Sequence, residues 1–281
     1  MASDVEAALL APALRDRGEF LVAGKRILVG ELAPLTSELG LREAGRRVAL
    51  AISGLDKVNA AHLLTCLLQA MKPSPRLVLQ TGIAGALPDV GEFSPAAVGD
   101  VVVATHEAYS DTGSSSPKGW VSAKELGWPL AEVDGVESGG VFSLDGRLVA
   151  MALRVMSSAA ARANESAFAA IRPEQHPRVF AGPCITASQV TGVTAHAQVL
   201  AERWQALAES MEGAAAAHIC ALYGVPFMEI RGISNLVGDR DRERWQVRRA
   251  VAAGSWAVRA VVDSLDLLPL PTPGAEAAEE D

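Results

Sequence analysis

The sequence predicts a single α/β domain whose central, mostly parallel mixed sheet is flanked by helices. Three observations carry that reading. Strand-like and helix-like runs alternate along the chain, the order expected of α/β folds. Residues 76–81 read as a strand with an unbroken apolar centre, Leu77-Val78-Leu79, suited to the middle of a parallel sheet, and residues 213–233 read as helix, tight turn and buried strand. The length of 281 residues, with 49% hydrophobic and 21% charged, supports one large core without the depletion that marks disorder.

In chain order, residues 1–19 read as a short helix laid on the outside, an N-terminal extension to a domain spanning 20–268. A first strand is expected within 20–29, interrupted by Gly24-Lys25-Arg26, and delivers Glu31 to the entrance of a helix with Leu32, Leu35 and Leu39 on one face. A strand at 47–53, a helix at 57–71 and the strand at 76–81 follow. That strand runs into Thr81-Gly82-Ile83-Ala84-Gly85-Ala86, whose small residues let backbone N–H groups come close to a ligand. The loop is neither a dinucleotide fingerprint nor a P-loop. Residues 109–120 are polar and rich in Gly and Ser, a solvated loop or a segment covering substrate, with Lys118 and Trp120 able to meet an acidic, aromatic tail. A helix at 148–162 and a strand at 179–187 lead to Ser188-Gln189-Val190-Thr191-Gly192.

The helix at 213–223 ends at Gly224, and Val225-Pro226 turns the chain into the strand at 227–233. Glu212 stands at the helix entrance and Ser234-Asn235 at the strand's carboxyl end. Singly these are ordinary dipole and turn residues. Together they bracket the end of a sheet where α/β folds bind ligands. A long helix at 245–268 follows, and 269–281, with prolines and acidic residues, reads as a disordered tail.

Composition excludes several classes. A net charge of -8, with the basic run 240–249 interleaved by acids, argues against nucleic acid. Cys66, Cys184 and Cys220 lack C-x-x-C spacing, so a reducing cytoplasm is expected rather than a disulfide framework. The five histidines show no metal spacing, and no metal or cofactor is expected. The first residues lack a signal-peptide pattern, and no apolar run is long enough to span a membrane.

The segments Met211-Glu212-Gly213-Ala214-Ala215 through His218, Val225-Pro226-Phe227 and Arg231-Gly232-Ile233-Ser234-Asn235 resemble the signature of the nucleoside phosphorylase/nucleosidase superfamily. The resemblance implies a small-molecule nucleoside substrate, no cofactor and a homo-oligomer. It makes Glu212 the acceptor of ribose hydroxyls, packs Met211 on the sugar, and sets Gly82, Ile83, Ala84 and Gly85 beside the attacking water or phosphate. Val190 and Thr191 then line the purine pocket with Ser234, and Glu31 is the base that activates water. Relatives acting on aminopurines carry Asp where this chain has Asn235. An amide cannot supply that acid but can pair with the oxygen and ring N–H of an oxopurine, so hydrolysis of an oxopurine nucleoside is expected. Phosphorolysis, with Arg42 or Arg46 on the anion, an aminopurine nucleosidase and a nucleoside sensor without turnover remain open.

Overall fold

A computed structural model describes residues 1–32, 46–89, 96–133, 135–161 and 176–270. Its elements run α1 (Asp4–Ala7), β1 (Leu14–Val22), β2 (Lys25–Leu32), β3 (Arg46–Ala51), α2 (Lys57–Ala70), β4 (Val78–Ala86), β5 (Val101–Tyr109), β6 (Gly113–Ser116), β7 (Gly119–Ser122), β8 (Ala131–Val133), β9 (Val136–Ser138), β10 (Val141–Ser143), α3 (Gly146–Ala161), β11 (Val179–Thr186), α4 (Thr194–Trp204), β12 (Ala208–Ser210), α5 (Gly213–Leu222), β13 (Phe227–Leu236) and α6 (Val247–Asp263).

The expected α/β domain is present, but its main sheet closes on itself. The order β5-β11-β12-β4-β13 returns to β5, giving a five-stranded barrel with β10 outside on β5. Three joints are parallel, β5 with β11, β11 with β12 and β4 with β13; β12 with β4 and β13 with β5 are antiparallel. Helix α6 lies directly on β13. A Cβ at Gly232 would collide with the Ala250 carbonyl, so only glycine admits this approach. Trp256, Val258 and Val261 of α6 pack with Met156 of α3 and Met228 and Ile230 of β13 in the largest apolar cluster.

The amino-terminal region departs from expectation. Met1, Ala7, Leu10 and Leu14 are buried in that same cluster, so residues 1–19 are not an outer extension. Two strands replace the single interrupted one. Ala23 and Gly24 both take positive φ, and the chain reverses between Val22 and Lys25 into the antiparallel β1–β2 hairpin. With β3 these form a separate three-stranded antiparallel sheet. Residues 109–120 carry the β6–β7 hairpin, in which the Arg203 guanidinium lies 5.0 Å from the Trp120 ring centroid. The expected helix bearing Leu35 and Leu39, Arg42 and residues 271–281 lie outside the described residues.

Between β3 and β4 runs an apolar slot of about 420 Å³, lined by Leu50, Leu63, Leu67, Leu79, Val258 and Met1 among others.

Candidate active site

The carboxyl ends of β3, β4 and β13 and the amino end of α5 meet around one guanidinium. Arg231, on β13, is fully buried. Its Nε donates to Glu229 Oε1 at 2.6 Å, Nη1 to the Ile83 carbonyl at 3.3 Å, and Nη2 to Ser210 Oγ at 3.3 Å and Glu212 Oε2 at 3.4 Å. Burial alone would lower its pKa, but the charges of Glu229, Glu212 and Glu6 outweigh it and push the guanidinium's pKa up.

Glu212 occupies the cap position of α5 without capping its own helix. Its Oε1 instead accepts from the Asp56 N–H at 3.1 Å, across the chain. Asp56 sits at φ 80° in the loop between β3 and α2, and Ser188 Oγ donates to its Oδ1 at 2.6 Å. Helix α5 ends as the sequence implies, at Gly224 with φ 63°. Its first turns are alanines, 214–217, all buried, which lets the helix entrance sit close against the barrel.

Glu6 is the second carboxylate at the cluster. Ser3 and Glu6 form a reciprocal capping box at α1, where Glu6 Oε2 accepts from Ala2 and Ser3 N–H at 2.7 and 3.0 Å. Its Oε1 accepts from the Ile83 N–H at 2.9 Å. This explains the glycine of the small-residue loop, because a Cβ at Gly82 would collide with Glu6 Oε1 and crowd Arg231 Nη1.

A buried carboxyl pair supports the guanidinium from below. Glu107 of β5 and Glu229 of β13 are both fully buried. Glu107 Oε2 accepts from Thr186 Oγ1 at 2.7 Å, and that hydroxyl accepts from the Ala214 N–H at 2.8 Å. The other oxygens, Glu107 Oε1 and Glu229 Oε2, converge under Gly213, where a Cβ would collide with both. Neither has a hydrogen-bond partner, and in so buried a place one proton between the two oxygens would satisfy both. Burial first, and then the charge and hydrogen bond of Glu229, hold the Glu107 carboxyl's pKa well above the usual range.

The other candidates follow along the same strand ends. Asn235 faces Gly85 in register across β13 and β4. Ser234 Oγ lies 2.7 Å from Asn235 Oδ1 and 3.2 Å from the Ala84 carbonyl, and Asn235 Nδ2 donates to the Leu236 carbonyl at 3.0 Å. Thr191 is buried and donates through N–H and Oγ1 to Glu209 at 3.0 and 2.6 Å, while Val190 is exposed. The Gly238 N–H reaches the Thr191 carbonyl at 3.2 Å, tying this segment to the loop after Asn235. Met211 is half-buried beside Glu212.

Glu31 is not brought to this cluster. It lies on β2 opposite Arg47, whereas the site adjoins Ala51 and Ser53. Four residues of ladder separate the two, roughly 13 Å at strand spacing. The cause is direction: β2 runs antiparallel to β3, so its carboxyl end points away from the site. Sequence reasoning overlooked Glu6, although Ser3-x-x-Glu6 is a legible capping signal, and assigned no role to Arg231, Glu229, Glu107 or Asp56. Among the described residues no group of three or more His, Cys, Asp and Glu could hold a metal ion, and no helix is long and apolar enough to cross a membrane.

The sequence model of the phosphorylase superfamily matches residues 2–265. The chain belongs to this superfamily. Within it, the chain is 34% identical over 184 residues to a futalosine hydrolase of Streptomyces coelicolor, a match covering 65% of this chain and 63% of that relative's length. It is 28% identical over 235 residues to a 5'-methylthioadenosine/S-adenosylhomocysteine nucleosidase of Actinobacillus succinogenes, covering 84% and 82%. The solved nucleosidase of that name from Neisseria meningitidis, in complex with methylthio-immucillin-A, superposes with a TM-score of 0.70 at 25% identity, covering 94% of this chain and 96% of the other. The phosphorylase-superfamily fold thus accounts for the α/β domain and its closed barrel.

Proposed function

We propose that this protein hydrolyses the N-glycosidic bond of futalosine, releasing hypoxanthine and dehypoxanthinyl futalosine as a step of menaquinone biosynthesis, and that it acts in the cytoplasm as a homo-oligomer. The observation that carries the reading is the convergence of Glu212 and Glu6 on Arg231 and the Gly82–Ile83 backbone at the strand ends. Losing a purine leaves positive charge on the ribose. A buried carboxylate at the helix entrance both accepts ribose hydroxyls and stabilises that charge. Glu212 is such a group, fixed by Asp56 N–H and Arg231, with Met211 packing on the sugar.

Glu6 takes the part the sequence reading gave to Glu31. Three backbone N–H groups hold it rigidly, and it lies beside the small-residue loop Gly82 to Gly85 where water would be positioned. A general base there contributes about 10²- to 10⁴-fold in rate. Phosphorolysis needs a cation free to meet phosphate; among the described residues, Arg231 at this site is committed to Glu229 and Glu212. Val190, Thr191, Ser234 and Asn235 form the base end. The Asn235 amide supports an oxopurine over an aminopurine, and the Streptomyces relative named a futalosine hydrolase agrees with it.

A second reading, a methylthioadenosine/S-adenosylhomocysteine nucleosidase, is supported by the longer alignment with relatives of that name. The deciding experiment incubates the protein with futalosine, inosine and methylthioadenosine, each with and without phosphate, and follows base release. Hypoxanthine from futalosine without phosphate supports the proposal. Release of adenine alone favours the second reading, strict phosphate dependence favours phosphorolysis, and binding without release makes the protein a sensor.

A further inference from the structure

Asp56 is held in a conformation that ordinarily belongs to glycine. Its φ of 80° and ψ of 160° lie in a region that a side chain enters only under strain. The other non-glycine residues with positive φ among those described, Asp16, Ala23 and Gln205, stay at 48°, 49° and 49°, close to the left-handed helical basin. Asp56 also stands at the cap of α2, where aspartate ordinarily accepts from the first free N–H groups of its helix, yet its carboxylate makes no such bond. Oδ1 accepts instead from Ser188 Oγ at 2.6 Å, while the Asp56 N–H donates to Glu212 Oε1 at 3.1 Å. A strained backbone and a forgone cap both weigh against α2, and both belong to groups that reach the site. The next residue grips the same serine. Lys57 Nζ lies 2.6 Å from Asp111 Oδ1, and Asp111 Oδ2 accepts from the Ser188 N–H at 2.8 Å. Ser188 opens the segment that continues to Val190 and Thr191.

We infer that Asp56 is a positioning residue for the proposed reaction: bound to Ser188 through its carboxylate and to Glu212 through its N–H, it fixes the ribose-holding carboxylate against the segment that lines the base. The inference rests on the roles proposed above for Glu212, Val190 and Thr191. A glycine would take the same φ and ψ without strain and would keep the N–H, so the bond to Glu212 does not by itself call for aspartate. What only a side chain supplies is the anchor. With Oδ1 held by Ser188, the peptide is kept from relaxing out of its strained conformation, and its N–H stays aimed at Glu212 Oε1. The other Glu212 oxygen meets Arg231 at 3.4 Å, so among the described residues the Asp56 N–H makes the shorter of the bonds that orient this carboxylate. Orientation matters here, because a catalytic group displaced by about 1 Å can lose ~10²-fold in rate.

The test measures base release and thermal unfolding for Asp56→Gly, Asp56→Asn and Ser188→Ala, with the nucleoside that the parent cleaves. Asp56→Gly relieves the strain but cuts the anchor, and is expected to lower kcat/KM at least ~10-fold while Tm stays or rises. Ser188→Ala should give the same loss, and the double variant no more than either alone. Asp56→Asn, whose carbonyl still accepts from Ser188 Oγ, should recover kcat/KM to within ~3-fold of the parent. Parental kinetics in Asp56→Gly, a Tm that falls in step with its activity, or losses that multiply in the double variant overturn the inference. Amide hydrogen exchange at residue 56 separates the anchor from the reaction. In the protein without nucleoside, Ser188→Ala should speed exchange there at least ~10-fold, and unchanged exchange overturns the inference even where futalosine is cleaved. Faster exchange in a protein that releases no base supports the anchor and overturns the proposed reaction instead.

Discussion

Replacing Glu107 by leucine removes the carboxyl that shares a proton with Glu229 beneath Gly213, and leaves a buried carboxylate oxygen and the Thr186 hydroxyl without their partner. Leaving a buried acceptor unsatisfied costs about 1–3 kcal/mol, more where it is charged, a sizeable share of the ~5–15 kcal/mol that holds a domain folded. Replacing it by glutamine is different, because the amide donates to Glu229 Oε2 and accepts from Thr186 Oγ1, so a loss of about 1 kcal/mol is expected. The two variants also differ from the parent in pH dependence. Above the ordinary glutamate value of 4.5 the folded chain keeps the Glu107 proton while the unfolded chain has released it. The folded state then binds more protons, so stability falls as pH rises, by up to about 1.4 kcal/mol per unit, until the folded chain also lets the proton go. Urea denaturation at several values from roughly pH 5 to 8 measures the slope. Glu107→Gln should flatten it relative to the parent. An unchanged slope, or a Glu107→Leu variant as stable as Glu107→Gln, would refute the shared-proton arrangement.

The catalytic assignments give three further expectations. Glu212→Gln should lower the rate of base release by orders of magnitude while circular dichroism stays native, since the amide occupies the same space but removes the charge facing the sugar; near-normal turnover contradicts its role. Glu6→Gln should lower kcat about 10²-fold or more, and Glu31→Gln, on the far end of the β2–β3 ladder, should leave it within about two-fold; the reverse order would restore Glu31 as the base. Asn235→Asp should move kcat/KM from futalosine toward methylthioadenosine, measured in one sample containing both, and an unaltered ratio removes the amide from the specificity argument.

Much of the fold was legible because its signals are local. The α2, α3, β11, α5 and β13 segments each carry their own periodicity and punctuation, and their observed bounds lie close to the expected ones, whereas β4 runs on to Ala86 through the small-residue stretch expected as a loop. Closure of the barrel was not legible: the β13 to β5 joint is antiparallel and pairs Ile230–Gly232 with Val101–Val103, far apart in sequence. Neither was the direction of β2. Gly24 was seen to interrupt a strand, but whether an interruption bends or reverses the chain depends on a backbone conformation, here positive φ at Ala23 and Gly24. That single misreading displaced both Glu31 and Glu6, because an uninterrupted first strand would have carried the former to the site and left the latter outside. Helix α6 also ends earlier than its apolar pattern suggests, giving way after Asp263 to a 3-10 turn at Leu265–Leu267. Glu212 stands out in the sequence because it abuts the start of α5, and Asn235 because it lies near the end of β13. Glu107 was not legible, since its partner Glu229 lies on a strand joined to it only by barrel closure.

The central claim is that one site holds the ribose at Glu212 and the departing oxopurine at Asn235. A structure of the Glu212→Gln variant soaked with futalosine tests it directly. The account predicts the base with its oxygen or ring nitrogens about 3 Å from the Asn235 amide, the ribose hydroxyls against residue 212, and a water between Glu6 and the anomeric carbon. A nucleoside bound with its base away from Asn235, or with Glu6 on the side of the leaving purine, would contradict it.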